Sequence, residues 1–359
     1  MKVLLVADEY FSWGVYGGFG AFTRKLGSEL VKRGVEVDAY VHKISRKQRP
    51  VGEIEVIDGV HVKTLPRGKV GKMVYKGLYV TDAEVIHSQS GMLDTYLAFK
   101  RNENCGKLVT VQDLRTQEDL KRIGTVEKLG LAKKLSRYLT LKLYGHALCQ
   151  ADRLFVQAEL LAPKVHELFN RNPSLLPNFV EIPKGNMVKA DVPTVVWLGR
   201  LDSIKRPHLC FDLAKRMPNI QFYILGKSHS NLDYASDPYY RDVKNLHFMG
   251  FQDGKVKEMV LSRAWILINT SIYECLPVSF LEVLAHKCAL LSTQNPDSYT
   301  ERFGMYVKYP ELLEKGLEEL LYADNWRYLG EKGYEHVCKV HSLDKCVQDH
   351  INIYKELSA

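Results

Sequence analysis

The stretch WILINTSIYECLPVSFLEVLAHKCALLS, Trp265 to Ser292, changes its period twice. Trp265–Asn269 is a short apolar run of strand length, residues 278–286 carry apolar side chains at helical spacing, and Ala289–Ser292 is a second apolar run. Strand, loop, helix and strand in that order predict a parallel pair, because parallel strands need a crossover between them. Pro277 falls where the helix should start, and proline is favoured at the first helical position because that N–H has no partner there anyway. The free N–H groups of Val278 and Ser279, with the positive end of the helix dipole, then make a phosphate site. Glu282, one turn into the helix, could hold a ribose through two hydroxyls and Glu274 in the loop could hold sugar hydroxyls, although the spacing alone reads equally as two ordinary surface glutamates flanking a helix start.

The same rhythm extends in both directions. Upstream lie strands at Thr194–Leu198, Gln221–Leu225 and Leu246–Met249, with helices at Pro207–Arg216 and 254–262. A polar stretch from Pro183 to Pro193 lacks hydrophobic patterning and reads as a linker. Before it, Lys2–Ala7 is a strand, and Phe19, Phe22, Leu26 and Leu30 mark a helix that ends at Gly34. Val35–Val41 follows as a strand, and Ile54–Ile57 and Val60–Leu65 form a hairpin about Asp58-Gly59. Glu84–His87, Lys107–Val111, Arg153–Val156 and Leu175–Pro177 complete the first half. A chain of 359 residues exceeds one ordinary core. The expected organisation is therefore two doubly wound α/β domains, 1–183 and 184–340, followed by a terminal segment 341–359 that carries the helix Lys345–Leu357. Ligands are expected in a cleft at the carboxyl ends of the strands.

Bulk properties narrow the class. The seven cysteines (105, 149, 210, 275, 288, 338 and 346) contain no CxxC pair, which argues against a disulfide framework and against a zinc site. The N-terminal apolar run is too short for a signal peptide, and no stretch approaches the roughly 18 apolar residues of a membrane span. A cytoplasmic protein is expected, with peripheral attachment to a membrane left open. Residues 1–180 hold 28 Lys and Arg against 19 Asp and Glu, whereas residues 181–359 hold 22 against 23. An excess of that kind in one half suggests an anionic partner, and ordinary solvated lysines explain it equally well. Leu129–Tyr144 mixes Leu131, Leu135, Tyr138, Leu139 and Leu143 with Lys133, Lys134, Arg137 and Lys142. Such a segment either lies in an anionic membrane interface or packs on the first domain with a solvated basic face.

A second constellation belongs with the first. The strand Thr194–Leu198 runs into Gly199-Arg200-Leu201-Asp202-Ser203-Ile204-Lys205, where glycine permits a tight turn and two cations leave the carboxyl end of the sheet. A nucleoside-diphosphate leaving group gains negative charge as its glycosidic bond breaks. A guanidinium fork and an ammonium point charge suit that charge without a metal ion.

Gly199-Arg200 with Lys205, and Glu274-Cys-Leu-Pro277-Val-Ser279-Phe-Leu-Glu282-Val283, resemble the motifs of family 4 of the retaining GT-B glycosyltransferases. Further likeness runs through Asn245–Phe251, through Pro177-Asn178-Phe179-Val180-Glu181 and through Gly17-Gly18. The resemblance covers essentially the whole chain. It implies a GT-B fold of two Rossmann-like domains facing across a cleft, and transfer of a sugar from a nucleotide-diphosphate donor with retention and without metal or other cofactor. The acceptor it implies is a glycan or lipid-linked hydroxyl, and nucleic acid is not expected as a partner. Donor contacts would come from Gly17, Gly18, Gly199, Arg200, Lys205, Gly226, Phe251, Glu274, Cys275, Leu276, Pro277, Val278, Ser279 and Glu282. Asp113 and Arg115 would face the acceptor.

Departures from the family pattern fall in the first domain. The chain reads His87-Ser-Gln-Ser-Gly91 and Thr110-Val-Gln112-Asp113, so Gln112 stands where the family has a histidine. Glutamine hydrogen-bonds but does not titrate near neutrality. The catalytic set implied is therefore Glu274, Arg200 and Lys205, with His87 and Gln112 as candidates. Cys275 replaces a usual glycine, and Thr293–Asp297 a Gly-Gly turn. Two other readings compete. A Rossmann oxidoreductase is disfavoured because Gly17, Gly18 and Gly20 lie far beyond the first strand and Val41-His42-Lys43 offers no ribose-binding acid. A binding protein that kept the fold and lost the chemistry is favoured only by Gln112.

Overall fold

A computed structural model describes residues 1–11, 18–42, 50–66, 68–89, 92–124, 131–185, 187–228 and 233–358. The chain divides into two compact units. Met1–Asn178 and Asp344–Ala359 form the first, and Phe179–Leu343 the second. The change of unit comes at Asn178/Phe179, ahead of the Pro183 linker, because Val180 already pairs with Ser342 inside the second unit and Phe179 is buried.

In the first unit the strands are β1 (Lys2–Ala7), β2 (Glu36–His42), β3 (Ile54–Ile57), β4 (Val60–Leu65), β5 (Val85–Ser88), β6 (Gly106–Val111), β7 (Arg153–Val156) and β8 (Ser174–Leu175). Among the described residues they form one sheet in the order β3-β4-β2-β1-β5-β6-β7-β8, parallel except for the β3–β4 hairpin. The hairpin turns through Asp58 and Gly59 at φ 51° and 83°, left-handed values that favour this pair of residue types. Central strand β1 is apolar from Val3 to Ala7 because both of its faces are covered, and Val3, Leu4 and Leu5 are fully buried. Helices α1 (Gly18–Lys32), α2 (Lys69–Val74), α3 (Met92–Arg101), α4 (Gln117–Arg122), α5 (Leu131–Gln150) and α6 (Leu161–Phe169) connect the strands.

The second unit contains β9 (Thr194–Leu198), β10 (Gln221–Leu225), β11 (Leu246–Gly250), β12 (Ile266–Asn269), β13 (Ala289–Ser292) and β14 (Gly304–Tyr306). Their order is β11-β10-β9-β12-β13-β14, with every pair parallel, so the sheet runs outward from β9 on one side and from β12 on the other. This is a doubly wound order, with its topological switch point between β9 and β12. Helices α7 (His208–Arg216), α8 (Gly254–Arg263), α9 (Val278–Ala285), α10 (Tyr299–Phe303), α11 (Leu313–Leu321) and α12 (Asn325–Val340) complete the unit. Phe211, Phe222 and Trp326 anchor its core, and Trp265 stacks on Trp326 with ring centroids 4.5 Å apart.

The chain then ends in α13 (Leu343–Ser358), which packs on the first unit. Cys346, Val347, Ile351 and Tyr354 form its buried stripe. Its carboxyl end lies so close to β6 that a Cβ at Gly106 would stand 2.6 Å from the Leu357 carbonyl oxygen. The Tyr354 hydroxyl lies 2.7 Å from His87 Nδ1, and Thr110 Oγ1 lies 2.9 Å from His87 Nε2. Burial, reinforced by the neighbouring His350, holds His87 well below the usual histidine range, and burial lowers His350 as well.

Both imidazoles are thus neutral in the folded protein and protonate at their ordinary value, about 6.5, when the chain unfolds. Their contribution to stability is complete above about pH 6.5 and is lost as the pH falls below it, since the unfolded chain then binds more protons. Unfolding free energy, followed by urea titration, should decline towards acid by up to about 1.4 kcal/mol per pH unit for each histidine. His350→Gln should flatten that slope.

Candidate functional site at the switch point of the second unit

Strands β9 and β12 are hydrogen-bonded neighbours, so the loops that leave their carboxyl ends start side by side. The first loop, Gly199–Arg206, is organised by Asp202. Its Oδ1 accepts the backbone N–H groups of Ile204 and Lys205, both at 3.0 Å, and its Oδ2 lies 3.3 Å from Arg200 Nε. Arg200 is half-exposed within this turn.

The two loops are stitched together by Arg206, which sequence reasoning passed over. Its backbone is left-handed, φ 45°, and its side chain crosses to the second loop. There Nε donates to Thr270 O at 2.8 Å, and the terminal nitrogen Nη2 to Ser271 O at 3.3 Å and Thr293 Oγ1 at 3.2 Å. Thr270 reciprocates, its Oγ1 lying 2.7 Å from Lys205 O while accepting from the Trp197 indole at 3.2 Å. A backbone bond from Ile272 N to Ile204 O closes the join.

This join brings Lys205 and Glu274 together. Lys205 Nζ donates to Glu274 Oε1 at 2.6 Å, and the same oxygen accepts from Asn269 Nδ2 at 2.9 Å and Ser271 Oγ at 2.6 Å. The carboxylate is only 7% exposed, so the charge is held in place by three donors rather than by water. Asn269 and Ser271 lie at the end of β12 and just beyond it, and neither was singled out from the sequence.

Helix α9 starts at Val278, as its periodicity suggested, with Pro277 preceding it rather than serving as its first helical residue. Pro277 is its N-cap, in extended conformation at φ −74° and ψ 140°, so Val278 opens the helix. Among the described residues no side chain caps this end, which leaves the first-turn amides of Val278 and Ser279 without such a cap. Glu282 follows on the helix but is not joined to Glu274. It accepts from Lys257 Nζ of α8 at 2.6 Å, a partner unforeseen from the sequence.

The remaining donor candidates are placed as follows. Gly226 directly follows β10, and a Cβ there would lie 1.8 Å from Gly199 O, so its glycine character serves the close approach of the two strand exits. Phe251 is exposed directly after Gly250, whose φ is 66°. Leu276 is buried, and Cys275 Sγ lies 3.4 Å from Tyr273 OH. Cys275 does not take a left-handed φ, so the missing glycine imposes no strain there. The departure at 293–297 is absorbed by Asp297 and Ser298, which adopt φ 47° and 58° themselves. Gly17 lies outside the described residues, and Gly18 opens α1.

Candidates in the first unit separate into two kinds. His87 is fully buried between β6 and α13 with a hydroxyl at each ring nitrogen, so it is a core residue rather than a group presented to a ligand. Gln112 is also buried. It exchanges amide hydrogen bonds with Asn178, at 3.2 and 3.0 Å, and Gln157 joins them. Asp113 and Arg115 form an ion pair at 2.9 Å, each about one-third exposed. Among the described residues no group of three or more His, Cys, Asp or Glu side chains is arranged to hold a metal ion. All seven cysteines are free thiols.

The parallel order and the paired loops at its switch point define a doubly wound α/β domain. Residues 179–327 match the family model described as glycosyl transferases group 1. No curated protein matches the chain. Solved structures match it over its whole length. Sucrose-phosphate synthase from Thermosynechococcus elongatus shares 16% identity, with 99% of this chain and 98% of that one covered and a TM-score of 0.78. WaaG, a glycosyltransferase involved in lipopolysaccharide biosynthesis, shares 14% identity over 98% and 99%, with a TM-score of 0.70. A third, titled trehalose-6-phosphate from E. coli bound with UDP-2-fluoro glucose, shares 10% identity over 99% of each chain, with a TM-score of 0.67. The fold is GT-B, and the family match supports sugar transfer as the class of chemistry.

Arg206→Ala should lower the unfolding free energy of the second unit by about 1–3 kcal/mol, since it removes the donor from the Thr270 carbonyl, whereas Ser271 O keeps its bond from the Thr293 hydroxyl. A denaturant titration followed by tryptophan fluorescence measures this. Gly226→Ala should force the β9 and β10 exits apart and lower the melting temperature.

Proposed function

We propose that the protein is a glycosyltransferase that takes a sugar from a nucleotide-diphosphate donor and transfers it to an acceptor hydroxyl with retention of configuration. One observation carries this reading. The loops from β9 and β12 lock Lys205 onto Glu274 directly beside the switch point, in the unit that matches the glycosyl transferases group 1 model.

Each residue then has a physical task. Arg200 and Lys205 supply fixed positive charge to the diphosphate, aided by the uncapped amides of α9 at Val278 and Ser279. Glu274, already restrained by Asn269 and Ser271, offers its carboxylate to the sugar hydroxyls. Glu282 holds the ribose, exchanging its bond to Lys257 for the two hydroxyls. Phe251, exposed after β11, is the candidate contact for the base.

In the transfer step the bond from the anomeric carbon to the diphosphate oxygen breaks as the acceptor oxygen forms its bond on the same face. The acceptor proton passes to the departing diphosphate oxygen. That route asks for no histidine, which accommodates Gln112 and the burial of His87. It also draws its positive charge from Arg200 and Lys205 rather than from a metal ion. The acceptor is a glycan or lipid-linked hydroxyl met on the cytoplasmic side, with Asp113 and Arg115 as its candidate contacts.

A thermal-shift panel of nucleotide sugars tests the donor, because a ligand that binds only the folded state raises the melting temperature. Glu282→Ala and Arg200→Ala should each weaken donor binding by roughly 1.5–3 kcal/mol without lowering the melting temperature of the free protein. Unchanged affinity in both variants would sink the assignment.

A further inference from the structure

Two helices of the first unit that contain no acidic residue present apolar side chains to solvent. Helix α2 has no buried residue at all, and Val70, Met73 and Val74 recur at i, i+3 and i+4 with exposures of 79, 49 and 69%. Helix α5 repeats the pattern with Leu135, Tyr138 and Leu139, exposed by 60, 53 and 52%. The helices meet where Lys69 Nζ donates to both the carbonyl and the hydroxyl oxygen of Ser136, each at 2.7 Å. The two triplets therefore belong to neighbouring elements rather than to separate surfaces.

Charge identifies the partner. Residues 66–80 contain four Lys or Arg and no Asp or Glu, and the twenty residues of α5 likewise contain four and none. Lys76, Lys134 and Lys142 are exposed, the last 4.9 Å from the centre of the Tyr138 ring. Tyr75 and Tyr138 add amphipathic rings of the type that settles at headgroup depth. Nucleic acid would use the cations but has no use for valine, methionine and leucine. A protein partner would need matching acids and a shaped hydrophobic socket, whereas a fluid anionic bilayer accepts both features at once.

We propose that the exposed face of α2 and α5 docks the protein on an anionic lipid bilayer, with the apolar triplets in the interface and the lysines among the phosphates. The docking is independent of sugar chemistry, so it stands or falls apart from the proposed transfer reaction.

Vesicle flotation without any nucleotide sugar tests it. The protein should float with vesicles of equimolar phosphatidylglycerol and phosphatidylcholine at low salt, and remain in solution with phosphatidylcholine alone. The triple variant Lys76→Ser, Lys134→Ser, Lys142→Ser should lose roughly 5-fold in partitioning per lysine removed. Val70→Ser, Val74→Ser, Leu139→Ser combined should also release the protein while leaving its melting temperature unchanged, because all three side chains are exposed. Equal binding to both vesicle types, or binding untouched by either triple variant, overturns the proposal. So does a dimer in sedimentation that the serine variants dissociate, or preferential capture by duplex DNA that the apolar substitutions leave intact.

Discussion

The second unit depends on one cross-connection. Arg206, leaving one strand of a neighbouring pair, spends its guanidinium on carbonyls that follow the other, and Thr270 returns the bond. Two loops that would otherwise diverge become a single rigid surface. A lysine and a glutamate can then be held in contact with little solvent around them, because the surrounding donors have no freedom to withdraw. An arrangement that must favour charge only as it develops in a transition state benefits from such stiffness, since nothing has to reorganise when the bond breaks. The left-handed backbone at Arg206 is the local strain this stitch imposes on the chain.

The alternation of strands and helices was plainly legible in the amino-acid sequence. β1, the β3–β4 hairpin, β9, β10 and β13 have the predicted bounds, because short apolar runs buried on both faces leave no doubt about period. β14 escaped notice since three residues beginning with a glycine carry no pattern. Its glycine answers to a close approach, a Cβ there meeting the Leu290 carbonyl oxygen at 1.8 Å. α2 escaped as well, because six residues holding a single i, i+3, i+4 triplet are too few to establish a period.

Residues of the site were legible as types, not as partnerships. Glu274 and Lys205 stood out individually, and the structure joins them by a hydrogen bond. The pairing of Glu282 with Lys257 and the bridging by Arg206 join positions 25 and 64 or more residues apart, which no local spacing encodes. His87 misled for the opposite reason. A histidine at a strand end looks functional until its neighbours are known, and the hydroxyl that occupies its Nδ1 comes from 267 residues downstream.

That distance has a consequence for the order in which the protein can be completed. During synthesis, every strand of the first sheet emerges before α13, yet Tyr354 and the stripe around it arrive only after the entire second unit has been made. Until then the pocket around His87 and the flank of β6 at Gly106 are open to water or to passing hydrophobic chains. The earlier-made half therefore stays incomplete until the last helix of the chain has been made.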